Sequence, residues 1–150
     1  MNSKFPLLLP RMAILCCAVF LGCGSAKVEP RPVEMSLQKL VVIYGQYLRD
    51  HRGSAPADEA AFRKSIEELP ESDRAGRGLN DIDALLTSPR DKQLYVVRYG
   101  DKIGAPGPNG APWIAHEKTG QGGQRYVGFA TGQMEEVSEQ RLQEVLSKQK

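Results

Sequence analysis

The chain is expected to fold as one α+β domain, with an N-terminal helix packed on a small antiparallel sheet of about four strands and a C-terminal helix. Three observations carry this. Leu37, Leu40, Val41, Tyr44 and Leu48 recur at steps of three and four, the stripe of one helix face. From residue 94 the period changes: segments 94–99, 113–117, 125–130 and 133–137 are short, aromatic or β-branched, and bounded by Gly, Pro, Asn and Asp. Past Val137 a helical spacing returns in Leu142, Val145 and Leu146.

Taken in order, the first helix is expected to open near Ser36 and to close at Arg49, His51 and Arg52, with Gly53 in the left-handed position just past it. Val41, Val42 and Ile43 are β-branched and argue for a strand, but the stripe and the end signals outweigh them. A second helix spans about 58–69, with Phe62, Ile66 and Leu69 on one face and Pro70 as its stop. Residues 71–78 read as a polar loop. Ile82, Leu85 and Leu86 suggest a short helical turn that ends before Ser88-Pro89. Thr131-Gly132 has the spacing of a tight hairpin, although the β-branch of threonine disfavours positive φ and leaves a type II turn or a longer loop open. Ser138 is placed to cap the last helix, with Glu139 at its positive end and Val137 packing on Leu142. Leu40 and Tyr44 are expected to pack against the sheet that contains Val127 and Phe129.

The three cysteines, Cys16, Cys17 and Cys23, all fall near the N-terminus. Lys4 and Arg11 precede an apolar run, 12–21, that is too short for a stable transmembrane helix and fits the apolar region of a signal peptide. Phe20-Leu21-Gly22-Cys23 closes it and resembles the lipobox of bacterial lipoproteins, although leucine is commoner than Phe20 at the first place. A small residue at Gly22 admits a peptidase, and the Cys23 thiol is a soft nucleophile suited to S-alkylation by a lipid donor. The resemblance implies a signal peptide over 1–22, lipidation (diacylglycerol and then an acyl chain such as palmitate) at Cys23, a tether over 23–35 and a domain over 36–150. A plain secretory signal and an uncleaved anchor are the alternatives. Pro30 and Pro32 predict an extended tether around Glu29-Pro30-Arg31-Pro32. Gly24, rather than aspartate, resembles lipoproteins released to an outer membrane. The expected location is therefore the bacterial cell envelope, on its periplasmic or cell-surface face.

Charge narrows the partners. Without Lys4 and Arg11 the 20 basic residues fall to 18, equal to the 18 acidic ones, so composition gives no basic face for nucleic acid. Past Cys23 there is no cysteine, which excludes an internal disulfide in the domain and leaves stability to packing. The expected partners are a membrane, through the N-terminal lipid, and an envelope protein.

The order of elements, helix first and antiparallel sheet after, resembles the globular part of type II secretion pseudopilins and related pilin-like proteins. Residues 125–137 (Arg125-Tyr126-Val127-Gly128-Phe129-Ala130-Thr131-Gly132-Gln133-Met134-Glu135-Glu136-Val137) look like the closing hairpin of that group, with Thr131 in place of its usual aspartate. Leu85-Leu86-Thr87-Ser88-Pro89-Arg90-Asp91 and Arg52-Gly53-Ser54-Ala55-Pro56 are also similar, and the likeness covers about residues 37–137. One departure is large: pilins polymerise through a continuous hydrophobic N-terminal helix bearing a glutamate, and this chain has Cys23 and a proline-bearing tether there. The resemblance therefore implies a pilin-like domain carried on a lipid anchor and not a filament subunit.

No reaction can be read from the side chains. His51 suits a helix C-terminus and His116 a strand, and two histidines without cysteine ligands or an HExxH spacing make a weak case for zinc. No serine sits in a G-x-S-x-G elbow. Pseudopilins often bind calcium late in the sheet, but the corresponding loop, 100–112, offers Asp101 and Asn109 without a second carboxylate, so weak binding at best is expected. Asn80-Asp81-Ile82-Asp83 is better explained as capping of the following turn. The glycines at 104, 107, 110, 120, 122 and 123 precede neither Lys-Ser/Thr nor a helix and read as strand connections. Catalytic, cofactor and metal residues are accordingly expected to be none. The expected function is a non-enzymatic assembly or protein-interaction role related to secretion or the cell surface. The alternative is an enzyme, or a glycan- or small-ligand-binding protein, using the Gly/Pro-rich loops near Trp113, whose ring is expected in the core.

Overall fold

The computed structural model describes residues 32–100 and 110–147. They form, in order, α1 (Pro32–Asp50), α2 (Glu59–Glu67), α3 (Glu71–Arg77), α4 (Ile82–Leu86), β1 (Val96–Val97), β2 (Trp113–His116), β3 (Gln124–Phe129), β4 (Met134–Ser138) and α5 (Glu139–Ser147). The class is α+β, with a four-stranded antiparallel sheet and a C-terminal helix.

The sheet is a meander in the order β1-β2-β3-β4. Val96 faces His116, Trp113 faces Phe129, and Val127 faces Glu135, with an irregularity in β2 between Trp113 and Ala115. Because successive strand residues point to opposite faces, the sheet contributes to two separate clusters. On one face Ile114, Ala115 and Tyr126 join Leu37, Leu40, Val41 and Tyr44 of α1, together with Phe62, Ile66, Leu79, Leu85 and Leu86. On the other, Trp113, Val127, Phe129 and Val137 join Leu142 of α5. Val127 and Phe129 thus lie behind the sheet from Leu40 and Tyr44, a consequence of strand alternation that the expectation above did not separate.

The approach of α1 to the sheet is close because two glycines permit it. A Cβ at Gly128 would stand 2.3 Å from Val41 Cγ1, and one at Gly45 would stand 2.9 Å from the Ala130 carbonyl oxygen. A glycine inside a strand often marks such a backbone approach. Two long-range hydrogen bonds fix the helix lengthwise: the Tyr44 hydroxyl donates to the Arg98 carbonyl at 2.5 Å, and Ser36 Oγ pairs with the Tyr95 hydroxyl at 2.6 Å.

Several boundaries differ from the sequence expectation. The first helix begins at Pro32, so the residues read as the end of an extended tether are already helical. Proline is favoured at a first helical position, where its missing N–H has no intrahelical partner to lose. At the other end Gly53 N–H reaches the Leu48 carbonyl and Arg52 N–H the Arg49 carbonyl, a Schellman arrangement. Gly53 takes the expected positive φ, 88°, and Arg52 before it, at φ 55°, is left-handed as well. Residues Glu71–Arg77, read as a polar loop, form α3. That helix buries no side chain and is held by its ends: Glu71 and Asp73 lie in its first turn, Arg74 and Arg77 in its last, and Gly78 caps it at φ 65°. The first strand is only Val96–Val97, shorter than the segment 94–99.

Other boundaries agree. Asp58 caps α2 by accepting from Ala61 N–H at 2.8 Å, and Ser138 accepts from Arg141 N–H at 3.2 Å at the start of α5. The hairpin between β3 and β4 takes the longer of the open alternatives. Gly132 N–H donates to the Phe129 carbonyl and Phe129 N–H to the Gln133 carbonyl, so three residues form the connection, with Gly132 at φ 83°.

Candidate functional site

The most chemically distinctive group of side chains surrounds Glu117, whose side chain is fully buried. It follows β2 in the phase that faces α1 and meets the loop 88–93 that leads out of α4. Its carboxylate accepts from Ser88 Oγ at 2.8 Å, Arg90 Nε at 3.1 Å, Arg90 Nη2 at 2.5 Å and Tyr126 N–H at 2.9 Å. Arg90 also donates to Glu136 Oε1 at 2.6 Å and to the Gln124 carbonyl at 2.9 Å, and its guanidinium lies 4.8 Å from the Tyr126 ring centre. Burial works against the charged guanidinium, but Glu117 and Glu136 outweigh it and raise the pKa of Arg90. A carboxylate offers about four acceptor positions, and four donors occupy those of Glu117. With no acceptor position left for a substrate proton, the cluster acts as a clamp that ties the 88–93 loop to β3 and β4.

Asp91 extends the clamp. Its Oδ2 accepts from Thr119 and Gly120 N–H at 2.9 and 2.8 Å, and Oδ1 from Gln93 N–H at 3.1 Å. Burial opposes ionisation there, yet these backbone donors prevail and lower its pKa. The β2–β3 turn is thereby fixed, and Gly120 in it has no room for a Cβ, which would lie 2.2 Å from the Gln124 carbonyl oxygen.

The two histidines occupy unlike places. His51 is exposed at the end of α1, stacked on Tyr47 with ring centres 3.8 Å apart. His116 is buried in β2, with Nδ1 2.8 Å from the Glu117 carbonyl oxygen. Burial lowers its pKa, and the neighbouring Arg125 and Arg98 add to this against the Glu117 hydrogen bond and Glu139. Folding therefore disfavours the charged imidazolium. Among the described residues no group of three or more His, Cys, Asp and Glu side chains is placed to hold a metal ion, and no helix is long and apolar enough to cross a membrane.

Trp113 is 1% exposed and meets Phe129 edge-on at 5.9 Å, so both faces of its ring are covered by protein. Asp81 caps α4 by accepting from Ala84 N–H at 2.8 Å, and Asp83 pairs with Arg63 at 2.7 Å, which accounts for the acidic pair. Cys23, the proposed lipid site, and Asp101 and Asn109 of the loop considered for calcium lie outside the described residues. Sequence reasoning passed over Arg90 and Glu117 as a pair, because nothing local links residues 27 positions apart. The available signal was Glu117 extending the alternation of a buried strand.

Two depressions open on the α1 side. One, of about 160 Å³, lies between α1 and α2 and is lined by Ile43, Tyr47, Asp50, His51, Glu68 and Leu69 among others. The second, of about 290 Å³, lies between α1 and the end of α3 and has an almost wholly apolar floor. In comparison with known proteins, no family model, no curated sequence and no solved structure matches this chain.

Proposed function

We propose that the protein is a bacterial envelope lipoprotein, tethered through a lipid on Cys23, whose pilin-like domain serves protein interaction or assembly related to secretion or the cell surface without catalysing a reaction. The observation that carries the reading is the N-terminal sequence: two cations, a short apolar run and Gly22-Cys23, with no cysteine afterwards. A helix lying along a four-stranded antiparallel meander supports the pilin-like part, since the α1 stripe shares one cluster with β2 and β3. The filled acceptor positions of Glu117 support the non-enzymatic part, because the one fully buried carboxylate among the described residues is spent on structure.

The test is Cys23→Ser. A single acyl chain binds a bilayer with an association constant of only about 10⁴ M⁻¹, so stable retention needs the two or three chains of a processed lipoprotein. The variant is expected to leave the membrane fraction while keeping the thermal melt of the parent. If it still sediments with membranes and mass spectrometry shows an uncleaved precursor, the segment is a simple anchor and the lipoprotein reading fails.

A further inference from the structure

The depression between α1 and the end of α3 combines two features. Its floor is apolar: Val42, Ile43 and Leu79 line it, and Val42 is 45% exposed although it sits on a helix whose neighbouring stripe is fully buried. Its rim is cationic. Lys39 and Arg77 stand on opposite sides, and among the described residues neither has a carboxylate within ion-pair distance, in contrast to Arg63, Arg90, Arg125 and Arg141. Arg77 is instead held by a neutral partner, donating to Gln46 Oε1 at 2.6 Å. Lys39 lies over the α3 cap, its Nζ 3.0 Å from where a Cβ of Gly78 would be. Neither cation is thus neutralised, and Arg77 is held in place by Gln46.

Beyond Gln38 the groove continues into a second depression beside Gly132, Gln133, Met134 and Glu135. Val42 bridges the two, with Cγ2 3.5 Å from the Cβ position of Gly132. Cations mark one end of the furrow and Glu135 the other, so an occupant would have a preferred direction.

We propose that this furrow is the docking site for a partner protein's acidic segment, which seats an apolar side chain over Val42 and Leu79 and sets its carboxylates against Lys39 and Arg77. Charge complementarity selects this occupant, since two cations around an apolar floor fit an anion-flanked hydrophobic anchor and repel a basic one. The inference rests on the protein-interaction reading above and names the surface and the partner chemistry for it.

The probe is a fluorescein-labelled peptide alternating glutamate with leucine, titrated by anisotropy into the full chain, with a lysine–leucine peptide as control. Saturable binding of the acidic peptide is expected, weakened at least about tenfold by Val42→Glu and by the double change Lys39→Glu with Arg77→Glu, and weakened by salt. All three positions are exposed or line the groove edge, and unchanged thermal melts would show that the variants still fold. Equal binding to parent and variants, equal binding of the lysine peptide, or no saturable binding would overturn the proposal. So would sedimentation showing that Val42→Glu dissociates a dimer, which would assign the furrow to a second copy, or phospholipid vesicles displacing the peptide. A defined membrane partner retained by the Val42→Glu chain would sink the furrow alone and leave the interaction reading standing. Failure of Cys23→Ser to release the chain would bear on the anchor alone.

Discussion

The two faces of the sheet are built on different principles. The face toward α1 combines a broad apolar cluster with a buried ion pair, and a helix lies so near the strand that a methyl group at Gly128 would collide with Val41. The face toward α5 carries four buried apolar residues, Trp113, Val127, Phe129 and Val137, which meet Leu142 of α5, with Val145 and Leu146 only partly covered. Its polar elements are His116, whose pKa burial lowers, and the Arg125–Glu139 ion pair at 2.5 Å. The difference teaches where uniqueness is stored. Helix α5 is held by apolar contact and, at its first residue only, by that Arg125–Glu139 pair and the Glu139 N–H donated to the Gly123 carbonyl. By contrast, α1 and the 88–93 loop are specified by polar groups buried along the packed face.

The strongest challenge to this contrast is Glu117→Ala. It takes from Arg90, 12% exposed at its side chain, its buried carboxylate and leaves it only Glu136 and the Gln124 carbonyl, while Ser88 Oγ and Tyr126 N–H lose that acceptor. Breaking a buried pair costs about 3–5 kcal/mol, and the remaining Glu136 places this change toward the lower end. Urea unfolding should register that loss, and a cost below about 1 kcal/mol would show that the clamp is incidental. Replacing Leu40 by Ala should cost about 2–5 kcal/mol, as for other large core truncations. Leu142→Ala, beneath a helix able to settle, should fall at the lower end of that range. If Leu142→Ala proved the costlier of the two, the ranking of the faces would be reversed.

A finer effect concerns pH. The pKa of His116 is lowered on folding, so below about 6.5, the ordinary value for histidine, the unfolded chain takes up a proton that the folded one resists. Stability from this group is complete above that pH and declines as the pH falls toward the lowered folded value. Substituting His116 by Gln should flatten the difference between melts at pH 7.5 and pH 5.5. An unchanged pH response would assign the acid sensitivity to other groups. Smallest of all, Gln46→Ala, off the buried stripe and bonded only to exposed Arg77, should change stability by less than about 0.5 kcal/mol.

Much of this architecture was legible because it is periodic. Leu37, Leu40, Val41 and Tyr44 announce a helix face, Asp58 and Ser138 announce helix starts, and alternation around Trp113 and Val127 announces strands. What was not legible lacks a period. Helix α3 has no apolar stripe, so only its acidic first turn and its arginines and Gly78 at the end could have disclosed it. Arg52 in the left-handed position was hidden by the adjacent glycine, the usual occupant. The Arg90–Glu117 pair required knowledge of which loop meets which strand, and that is decided by tertiary packing. The furrow beside Val42 was equally invisible: its Arg77 rim sits on the helix that was read as a loop.

The partners of α1 also lie far along the chain. Ser36 bonds Tyr95, Tyr44 bonds the carbonyl of Arg98, and Val41 rests against Gly128. A ribosome delivers the helix well before any of them. Until β2 and β3 have emerged, the stripe of Leu37, Leu40, Val41 and Tyr44 can be covered only in part, by Phe62, Ile66, Leu85 and Leu86, on a segment whose hydrogen bonds span 54 and 59 positions. Such separation slows folding and prolongs exposure to aggregation. The helix that ties the domain together is therefore the element most exposed to aggregation for as long as the sheet is unformed.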